Sequence, residues 1–374
     1  MRGLIRRAVA SGLAVLAAIC AVTGQTGPAS PPAGGERASV IAGNLSLGPG
    51  YGGDGGAATG AQLKRPFGVA VDNAGNLFIA DSDNNAVRKV DASGKITTVV
   101  RDPSVRDSSG KIRHVTFLHP TGLAVDGSGN VFIADYRNKV VLKMDPAGKV
   151  TIAAGTLESG GYSGDGGPAT SAQLQDPVGL ALDKDGNLFI ADSANSVIRE
   201  VDVNGIIHTV AGNKFLDGWY GGDGGPAVDA RLNQPQGVAV DNKGNLFIAD
   251  TFHSAIRKVD TNGNISTVAG LSPTAPGYRI QGGGYSGDGG AAVRAALDLP
   301  EGIAVNDAGE LFIADSGNDV VRKVDSAGRI FTITGEHIGS RGQWDGPEGL
   351  AIDKERNLII AYTRKSVIEK VELK

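Results

Sequence analysis

Cysteine is almost missing from this sequence, which has one, Cys20, in 374 residues. Because Cys20 lies in an apolar N-terminal stretch, the rest of the chain forms no disulfide and offers no thiol nucleophile. Histidine is also scarce: the five histidines show no His-x-x-x-His spacing, and no Gly-x-Ser-x-Gly elbow is present. These absences exclude the commonest sequence signatures of thiol, zinc-protease and serine-hydrolase chemistry.

A surplus of basic residues is missing as well. The chain carries 36 Lys and Arg against 40 Asp and Glu, and its formal net charge is −4. Removal of residues 1–24, which hold three Arg and no acid, leaves 33 basic residues and a net charge of −7. Nucleic acid is therefore excluded as a partner, since no basic surplus is available to release phosphate counterions.

A long apolar run occurs only at the N-terminus, over residues 8–22. It follows Arg2, Arg6 and Arg7 and is short for a membrane span, a pattern typical of an export signal. We predict a signal peptide over residues 1–24, a flexible spacer over 25–37, and an exported protein that is periplasmic or extracellular. An uncleaved anchor is the alternative; after cleavage we expect a monomer without membrane insertion.

A 26-residue frame that begins with Pro recurs six times without an insertion. A fixed period of this size is the signature of a repeat architecture. The copies cover residues 66–91, 120–145, 177–202, 235–260, 300–325 and 347–372.

Each frame contains three predicted strands, a, b and c, and a fourth strand, d, follows it. Glycine-containing turns join a to b, and strand b is continuously apolar, as in Leu77-Phe78-Ile79-Ala80. Repeat six stops after strand c, and residues 39–43 match the missing strand d. The sequence therefore predicts an all-β, six-bladed β-propeller over residues 38–374, with four-stranded antiparallel blades, closed by residues 38–43 pairing with the last blade.

Three repeated motifs resemble those of the NHL repeat family: Pro-x-Gly-x-Ala-x-Asp, Asn-Leu-Phe-Ile-Ala-Asp and Val-Arg-Lys-Val-Asp. The Gly-Tyr-Ser-Gly-Asp-Gly-Gly-x-Ala segments between frames are similar to those of exported bacterial members and of the teneurin-type NHL subgroup. The resemblance runs from residue 66 to the C-terminus and implies a propeller. It implies no single function, because one fold hosts many functions.

All length variation falls in the connections from strand d to the next strand a. Because neighbouring strands are antiparallel, these d–a connections share one face, the loop face, with the b–c turns. The short a–b and c–d hairpins form the opposite face, the hairpin face. Five of the six connections exceed the length of about 12–15 residues beyond which loops are usually functional, so we predict binding on the loop face.

Four connections repeat a Tyr-x-Gly-Asp-Gly-Gly motif followed by an Ala-rich stretch that predicts one or two helical turns. One interpretation is a ring of carboxylates that binds a cation or a polar ligand: Asp54, Asp165, Asp223 and Asp288. The other, which we favour, is that each Asp binds amides of its own loop, since Ca²⁺ takes six to eight oxygens and one Asp per loop supplies few. The connections before repeats two and six lack the motif, so the ring is asymmetric.

Residues that break the repeat are the better candidates for ligand binding. In the b–c turns, His253 replaces the Asn of Asp-x-x-Asn and Tyr362 replaces the Asp. Trp219 and Trp344, the two tryptophans, lie in connections. A recurrent Arg in strand c is expected to pair with neighbouring carboxylates: Arg88, Arg199, Arg257 and Arg322.

Two principal functions remain open. The first is a non-catalytic scaffold that binds a protein, a glycan or a cell-envelope component through the loop face, without a cofactor. The second, implied by NHL-like zinc lyases and by calcium lactonases, is a metal-dependent enzyme at the mouth of the central channel, where His119 and His253 would converge and Zn²⁺ or Ca²⁺ would be required. A sensor domain of a larger system is the third. The sequence assigns no catalytic or metal-ligating residue.

Overall fold

The computed structural model describes residues 37–106, 111–115, 117, 119–215, 220–271, 283–335 and 346–373. The predicted signal peptide, and the spacer except for Arg37, lie outside the described residues. The strands form six four-stranded antiparallel sheets and a separate two-stranded hairpin. Within the described residues, no helix is long and apolar enough to cross a membrane.

The strands are numbered β1 to β26 in chain order. β1 is Ala38–Ala42, and blade 1 contains β2 Pro66–Val71, β3 Leu77–Asp81, β4 Ala86–Val90 and β5 Ile96–Arg101. The hairpin of β6 Ser104–Arg106 and β7 Ile112–His114 precedes blade 2, which contains β8 Pro120–Val125, β9 Val131–Asp135, β10 Val140–Met144 and β11 Val150–Ala154. Blade 3 contains β12 Pro177–Leu182, β13 Leu188–Asp192, β14 Val197–Val201 and β15 Ile207–Ala211. Blade 4 contains β16 Gly237–Val240, β17 Leu246–Asp250, β18 Ala255–Val259 and β19 Ile265–Ala269. Blade 5 contains β20 Pro300–Val305, β21 Leu311–Asp315, β22 Val320–Val324 and β23 Ile330–Gly335, and blade 6 contains β24 Pro347–Ile352, β25 Leu358–Tyr362 and β26 Val367–Val371.

Three-residue 3₁₀ helices occur in two places in the repeat. One set follows the Tyr-x-Gly-Asp-Gly-Gly motif, as the Ala-rich stretches predict: Ala58–Gly60, Ala169–Ser171, Ala227–Asp229 and Ala292–Arg294. The other set forms b–c turns: Ser82–Asn84, Ser193–Asn195, Thr251–His253 and Ser316–Asn318.

The N-terminal strand closes the ring, which confirms the predicted closure. β1 pairs antiparallel with β26, with Ala38 opposite Val371 and Val40 opposite Glu369. The fourth strand of blade 6 therefore comes from the start of the propeller, and the edge of β26 is covered rather than left open for another chain.

A ring of six glycines forms the inner wall of the propeller, one from strand a of each blade. A Cβ built on any of them would lie 2.0–2.2 Å from a backbone carbonyl oxygen of the next blade. Real Cβ atoms do not approach this closely, so the Pro-x-Gly glycine is required for neighbouring blades to meet at the axis. The ring consists of Gly68, Gly122, Gly179, Gly237, Gly302 and Gly349.

The d–a connections fold down into the wedges between blades as well as crossing the loop face. The Ala58 N–H donates to the carbonyl of Gly94 in a c–d turn, and the Ala58 carbonyl accepts from Gly43 at the end of β1. Ala61 and Leu63 are buried and pack with Ile79 of blade 1 and with blade 6. Because flat blades diverge with distance from the axis, these segments fill space that strand side chains do not reach.

Candidate ligand-binding face

A buried arginine in strand c holds each Tyr-x-Gly-Asp-Gly-Gly connection in place. Its guanidinium binds the motif Asp at 2.6–2.7 Å in the pairs Arg88–Asp54, Arg199–Asp165, Arg257–Asp223 and Arg322–Asp288. The same guanidinium lies 3.2–3.6 Å from the buried Asp that ends strand b: Asp81, Asp192, Asp250 and Asp315. The expected pairing of these arginines is therefore confirmed. The four candidate ring carboxylates are engaged with strand c, which is the third strand outward from the axis.

The motif tyrosine completes this arginine module. The Arg88 guanidinium lies 5.1 Å from the ring centroid of Tyr51, and the Tyr51 hydroxyl is 2.9 Å from Thr98 Oγ1 on strand d. The other three tyrosines make the same contacts with Arg and Thr of their blades. Each connection is thus fixed by an ion pair, a cation–π contact and a hydroxyl contact.

Blades 2 and 6 lack the module, and both also lack the arginine. Leu142 occupies the position in blade 2, where the buried connection residues Val105, Val115 and Phe117 replace the polar contacts. Glu369 occupies it in blade 6. The motif and the arginine are therefore present together in four blades and absent together in two, as expected if each needs the other.

Burial raises the pKa of three of the Asp residues that end strand b, Asp81, Asp192 and Asp315. The pKa is raised to about 6 for Asp81 and Asp192 and to about 7 for Asp315. Hydrogen bonds from the turn Asn and the attraction of the arginine oppose this rise without cancelling it. These carboxylates support the fold and are enclosed away from solvent.

His253 is buried in the b–c turn of blade 4. Its Nδ1 lies 2.9 Å from Asp250 Oδ2, and its ring packs edge-to-face on Tyr220 at a centroid distance of 5.4 Å. In the other blades with the module, the turn Asn donates to the corresponding Asp at 2.8–2.9 Å. His253 therefore occupies the structural position of that Asn.

Tyr362 is buried at the end of β25, with Lys365 Nζ 4.6 Å from its ring centroid. Burial raises the pKa of Tyr362, and the negative charge of the nearby Glu369 raises it further. Trp219 and Trp344 lie outside the described residues. His253 and Tyr362 thus lie in different blades, and Tyr362 also hydrogen-bonds to Thr334 of the neighbouring blade 5.

The central channel carries two glutamates that the sequence reasoning missed. A cavity of about 60 Å³ on the axis is lined by strand a of all six blades, and Glu301 and Glu348 occupy its end at the loop face. Both stand between Pro and Gly of the frame, the one position of Pro-x-Gly that varies. Two Glu at this position in consecutive repeats are the sequence feature from which a carboxylate pair in the channel could have been predicted.

Glu301 and Glu348 are electrostatically linked. Burial raises the pKa of both, and the charge of Glu348 raises that of Glu301 further, while Arg65 and Arg364 lower both. Glu348 accepts a 2.6 Å hydrogen bond from Thr363 Oγ1, whereas Glu301 Oε2 is enclosed without a partner among the described residues. At neutral pH this pair retains a proton more readily than isolated carboxyl groups do.

A polar pocket of about 160 Å³, the seam pocket, lies between blades 1 and 2 on the loop face. It is lined by Asp83, Asn85, His119 and Arg137. The His119 N–H donates to Asn85 Oδ1 at 3.0 Å, and His119 Nδ1 lies 3.5 Å from Asp83 Oδ1. Burial lowers the pKa of His119, and Arg65 and Arg137 lower it further against the opposing charge of Asp83.

Metal ligation is not evident in the described residues. They contain no group of three His, Cys, Asp or Glu side chains placed to hold an ion. This described part of the chain therefore does not supply the zinc or calcium centre that the second functional hypothesis requires.

The fold and its repeated motifs define the class of the protein as a six-bladed propeller of NHL repeats. A family model described as the teneurin NHL domain matches residues 45–160, 158–219, 216–276 and 282–358. The chain belongs to this family.

Similar proteins include several teneurins. Teneurin-3 of Mus musculus is 32% identical over 234 residues, which cover 56% of this chain and 8% of that protein. Teneurin-4 of Homo sapiens is 28% identical over 349 residues, or 71% of this chain and 12% of that protein. The chain thus spans only about a tenth of the length of these relatives.

Solved structures share the fold at low sequence identity. An auxiliary nutrient binding protein from Bacteroides ovatus has a TM-score of 0.62 at 13% identity, covering 90% of this chain and 76% of that one. A gluconolactonase from Xanthomonas campestris has a TM-score of 0.57 at 14% identity, covering 91% and 90%. Virginiamycin B lyase from Staphylococcus aureus has a TM-score of 0.52 at 13% identity, covering 84% of each chain. These likenesses support the propeller fold alone.

Proposed function

We propose that this chain is an exported, non-catalytic NHL propeller that binds another protein through its loop face. The observation that carries the proposal is the distribution of exposed large apolar side chains. Four of them follow the end of a strand d or stand in a b–c turn, with exposed fractions of 45–80%: Leu45, Leu47, Phe215 and Phe252. On the hairpin face of the described residues, Val203 lies in a c–d turn, and Val228 and Val293 lie in 3₁₀ helices that are hydrogen-bonded to c–d turns.

The four side chains on the loop face include the most exposed one, Phe215, and exposed aromatic side chains are typical of a protein interface. The connections that carry Leu45, Leu47 and Phe215 are held by the arginine modules of blades 1 and 4. They therefore offer a preformed surface, which lowers the entropic cost of association.

A photo-crosslinking amino acid at two matched positions tests this proposal. We expect p-benzoylphenylalanine at Phe252 to form a discrete adduct with one protein in the cells that make this chain, and at Val203 to form none. The substitution Phe215→Ser should reduce the adduct from position 252. Adducts of equal yield from both positions, or none from position 252, would contradict a loop-face interface.

The glutamate pair favours a second candidate, an enzyme acting at the channel mouth. A carboxyl group whose pKa is raised by burial and by a neighbouring carboxylate can donate a proton near neutral pH. The second hypothesis was a lyase or lactonase dependent on a metal, and the described residues supply no centre for one. Stoichiometric Zn²⁺ or Ca²⁺ in the purified protein, lost on Glu301→Gln, would place this candidate ahead of the scaffold.

A further inference from the structure

The loop face is strongly divided in charge around the channel. Six basic residues, the basic arc, lie in the b–c turns or just before the frame Pro of blades 6, 1 and 2: Lys64, Arg65, Arg137, Lys139, Arg364 and Lys365. The corresponding positions of blades 3, 4 and 5 contain no Lys or Arg and three acids, Asp176, Asp298 and Asp319. This concentration occurs in a chain whose net charge is −4.

Part of the arc forms no ion pair within the part of the chain that the structure describes. Lys64, Arg65 and Arg137 are exposed, and none lies within ion-pair distance of an acid there. The charge of Arg65 also acts on the buried channel glutamates, whose pKa it lowers. The positive charge of Lys64 and Arg137 is therefore available to a partner.

A repeated backbone conformation directs the residue before each frame Pro, which is Arg65 in the arc, toward the seam between blades. The residue before the frame Pro has a positive φ, +47° at Arg65 and +66° at His119. Its N–H then donates to a polar side chain in the preceding b–c turn: Arg65 to Ser366 and His119 to Asn85. The side chain at this position is thereby placed over the preceding blade.

The seam pocket has the chemistry to receive one carboxylate. Arg137 supplies a guanidinium, which binds carboxylates in a bidentate manner, and Asn85 has an amide NH₂ to donate, because its oxygen already accepts from His119. A volume of about 160 Å³ accommodates a carboxyl group on a short stem. Asp83, the one acid of the lining, would repel such a group.

We propose that the basic arc binds an acidic segment of the partner protein and that the seam pocket receives one carboxylate of that segment. This inference rests on the proposed function and specifies the chemistry of its ligand. A peptide is favoured over an acidic glycan because exposed Leu45, Leu47 and Ile112 lie in the connections that lead into blades 1 and 2. Acidic and apolar groups together are available from a polypeptide and not from a polyuronate.

The test uses a fluorescein-labelled ten-residue peptide of Glu and Leu, with a Lys and Leu peptide as the reverse-charge probe. Fluorescence anisotropy should show binding of the acidic peptide alone, weakening at least about tenfold when salt rises from roughly 0.02 to 0.2 M. The triple variant Lys64→Gln/Arg65→Gln/Arg137→Gln should weaken binding about tenfold or more. Asp83→Asn should strengthen it about two- to threefold, because a like charge is removed.

A matched control carries the same change in net charge on the hairpin face. Lys95→Gln/Lys149→Gln/Lys243→Gln should leave the affinity within about twofold of the parent protein. Equal weakening by the two triple variants, or tighter binding of an oligogalacturonate of equal charge than of the peptide, would overturn the inference. If the crosslink from position 252 persists in the arc variant, the acidic-segment proposal fails and loop-face binding stands. If position 252 gives no crosslink in the parent protein, the proposed function itself fails.

Discussion

The substitution Arg88→Leu tests whether the arginine module holds a connection to its blade. The Arg88 side chain is fully buried and donates to Asp54 at 2.7 Å, to Asp81 at 3.2 Å and to the Gly52 carbonyl at 3.1 Å. Leucine is the natural test residue, because Leu142 fills the equivalent position of blade 2. In blade 1, however, leucine would leave two carboxylates and a carbonyl without their donor.

The expected loss of stability is about 3–5 kcal/mol at pH 8. This is the range for removing one partner of a buried ion pair, because the remaining charge stays uncompensated. Burial already raises the pKa of Asp81 from 3.8 to about 6, which corresponds to about 3 kcal/mol of destabilisation when the carboxyl is ionised. Removal of the Arg88 cation adds to that cost.

The loss should depend on pH in a direction set by Asp81. Because its folded-state pKa is raised, Asp81 contributes stability below about pH 4, and this is lost as the pH rises through about 6. Without Arg88 the pKa of Asp81 rises further, so the pH range over which Asp81 loses its stabilising contribution extends to higher pH. The difference in free energy of unfolding between the parent protein and the variant should therefore be larger at pH 8 than at pH 5. At pH 5, Asp81 is largely protonated in both proteins.

Urea unfolding followed by far-ultraviolet circular dichroism at pH 5 and pH 8 measures both effects. Leu142→Ala is the control, since it opens a cavity at the same blade position and removes no charge. It should cost about 2–5 kcal/mol with little pH dependence. An Arg88→Leu loss below about 1 kcal/mol at pH 8, or one equal at the two pH values, would refute the reasoning.

Two further predictions concern the channel wall. Gly302→Ala should destabilise the protein by about 3 kcal/mol or more in urea, because its Cβ would lie 2.0 Å from the Glu348 carbonyl oxygen. Gly127→Ala is the control, because a Cβ added at Gly127 would have no atom within 4 Å, and it should change stability by less than about 0.5 kcal/mol. Equal losses of stability in the two variants would contradict the packing argument. Glu301→Gln should become more stabilising as the pH rises, because the raised pKa of Glu301 means that its ionised form opposes folding. A melting-temperature difference that is constant from pH 5 to pH 8 would count against this linkage.

The fold could be predicted from the sequence because its determinants are local and repeated. Each glycine of Pro-x-Gly, each Asp-x-x-Gly-Asn turn and each apolar strand b specifies its own part of a blade. The closing strand was visible because residues 39–43 match a strand that repeat six lacks. Six copies of one pattern reduce the ambiguity that a single copy would leave.

The candidate site was less accessible because it depends on contacts between repeats. Asp54 and Arg88 are 34 residues apart, and nothing in the local sequence joins them. The positive φ of Arg65 and His119 stands before proline, a position where extended backbone is expected, so the direction of these side chains was hidden. Glu301 and Glu348 could not be recognised as exceptions, because the position between Pro and Gly has no repeated residue with which to compare them.

A residue that breaks a repeat indicates function only when no second break compensates it. In blade 6, Tyr362 replaces the buried Asp and Glu369 replaces the buried Arg. If Asp had been retained beside Glu369, two acids would have been enclosed together, whereas a neutral tyrosine avoids this. The raised pKa of Tyr362, caused partly by Glu369, places the two groups in one electrostatic environment. Arg137 differs from Tyr362, because no acid in the described residues forms an ion pair with it. Tyr362 therefore has a reason within the fold, whereas the exposed charge of Arg137 is the kind of feature that an acidic partner explains.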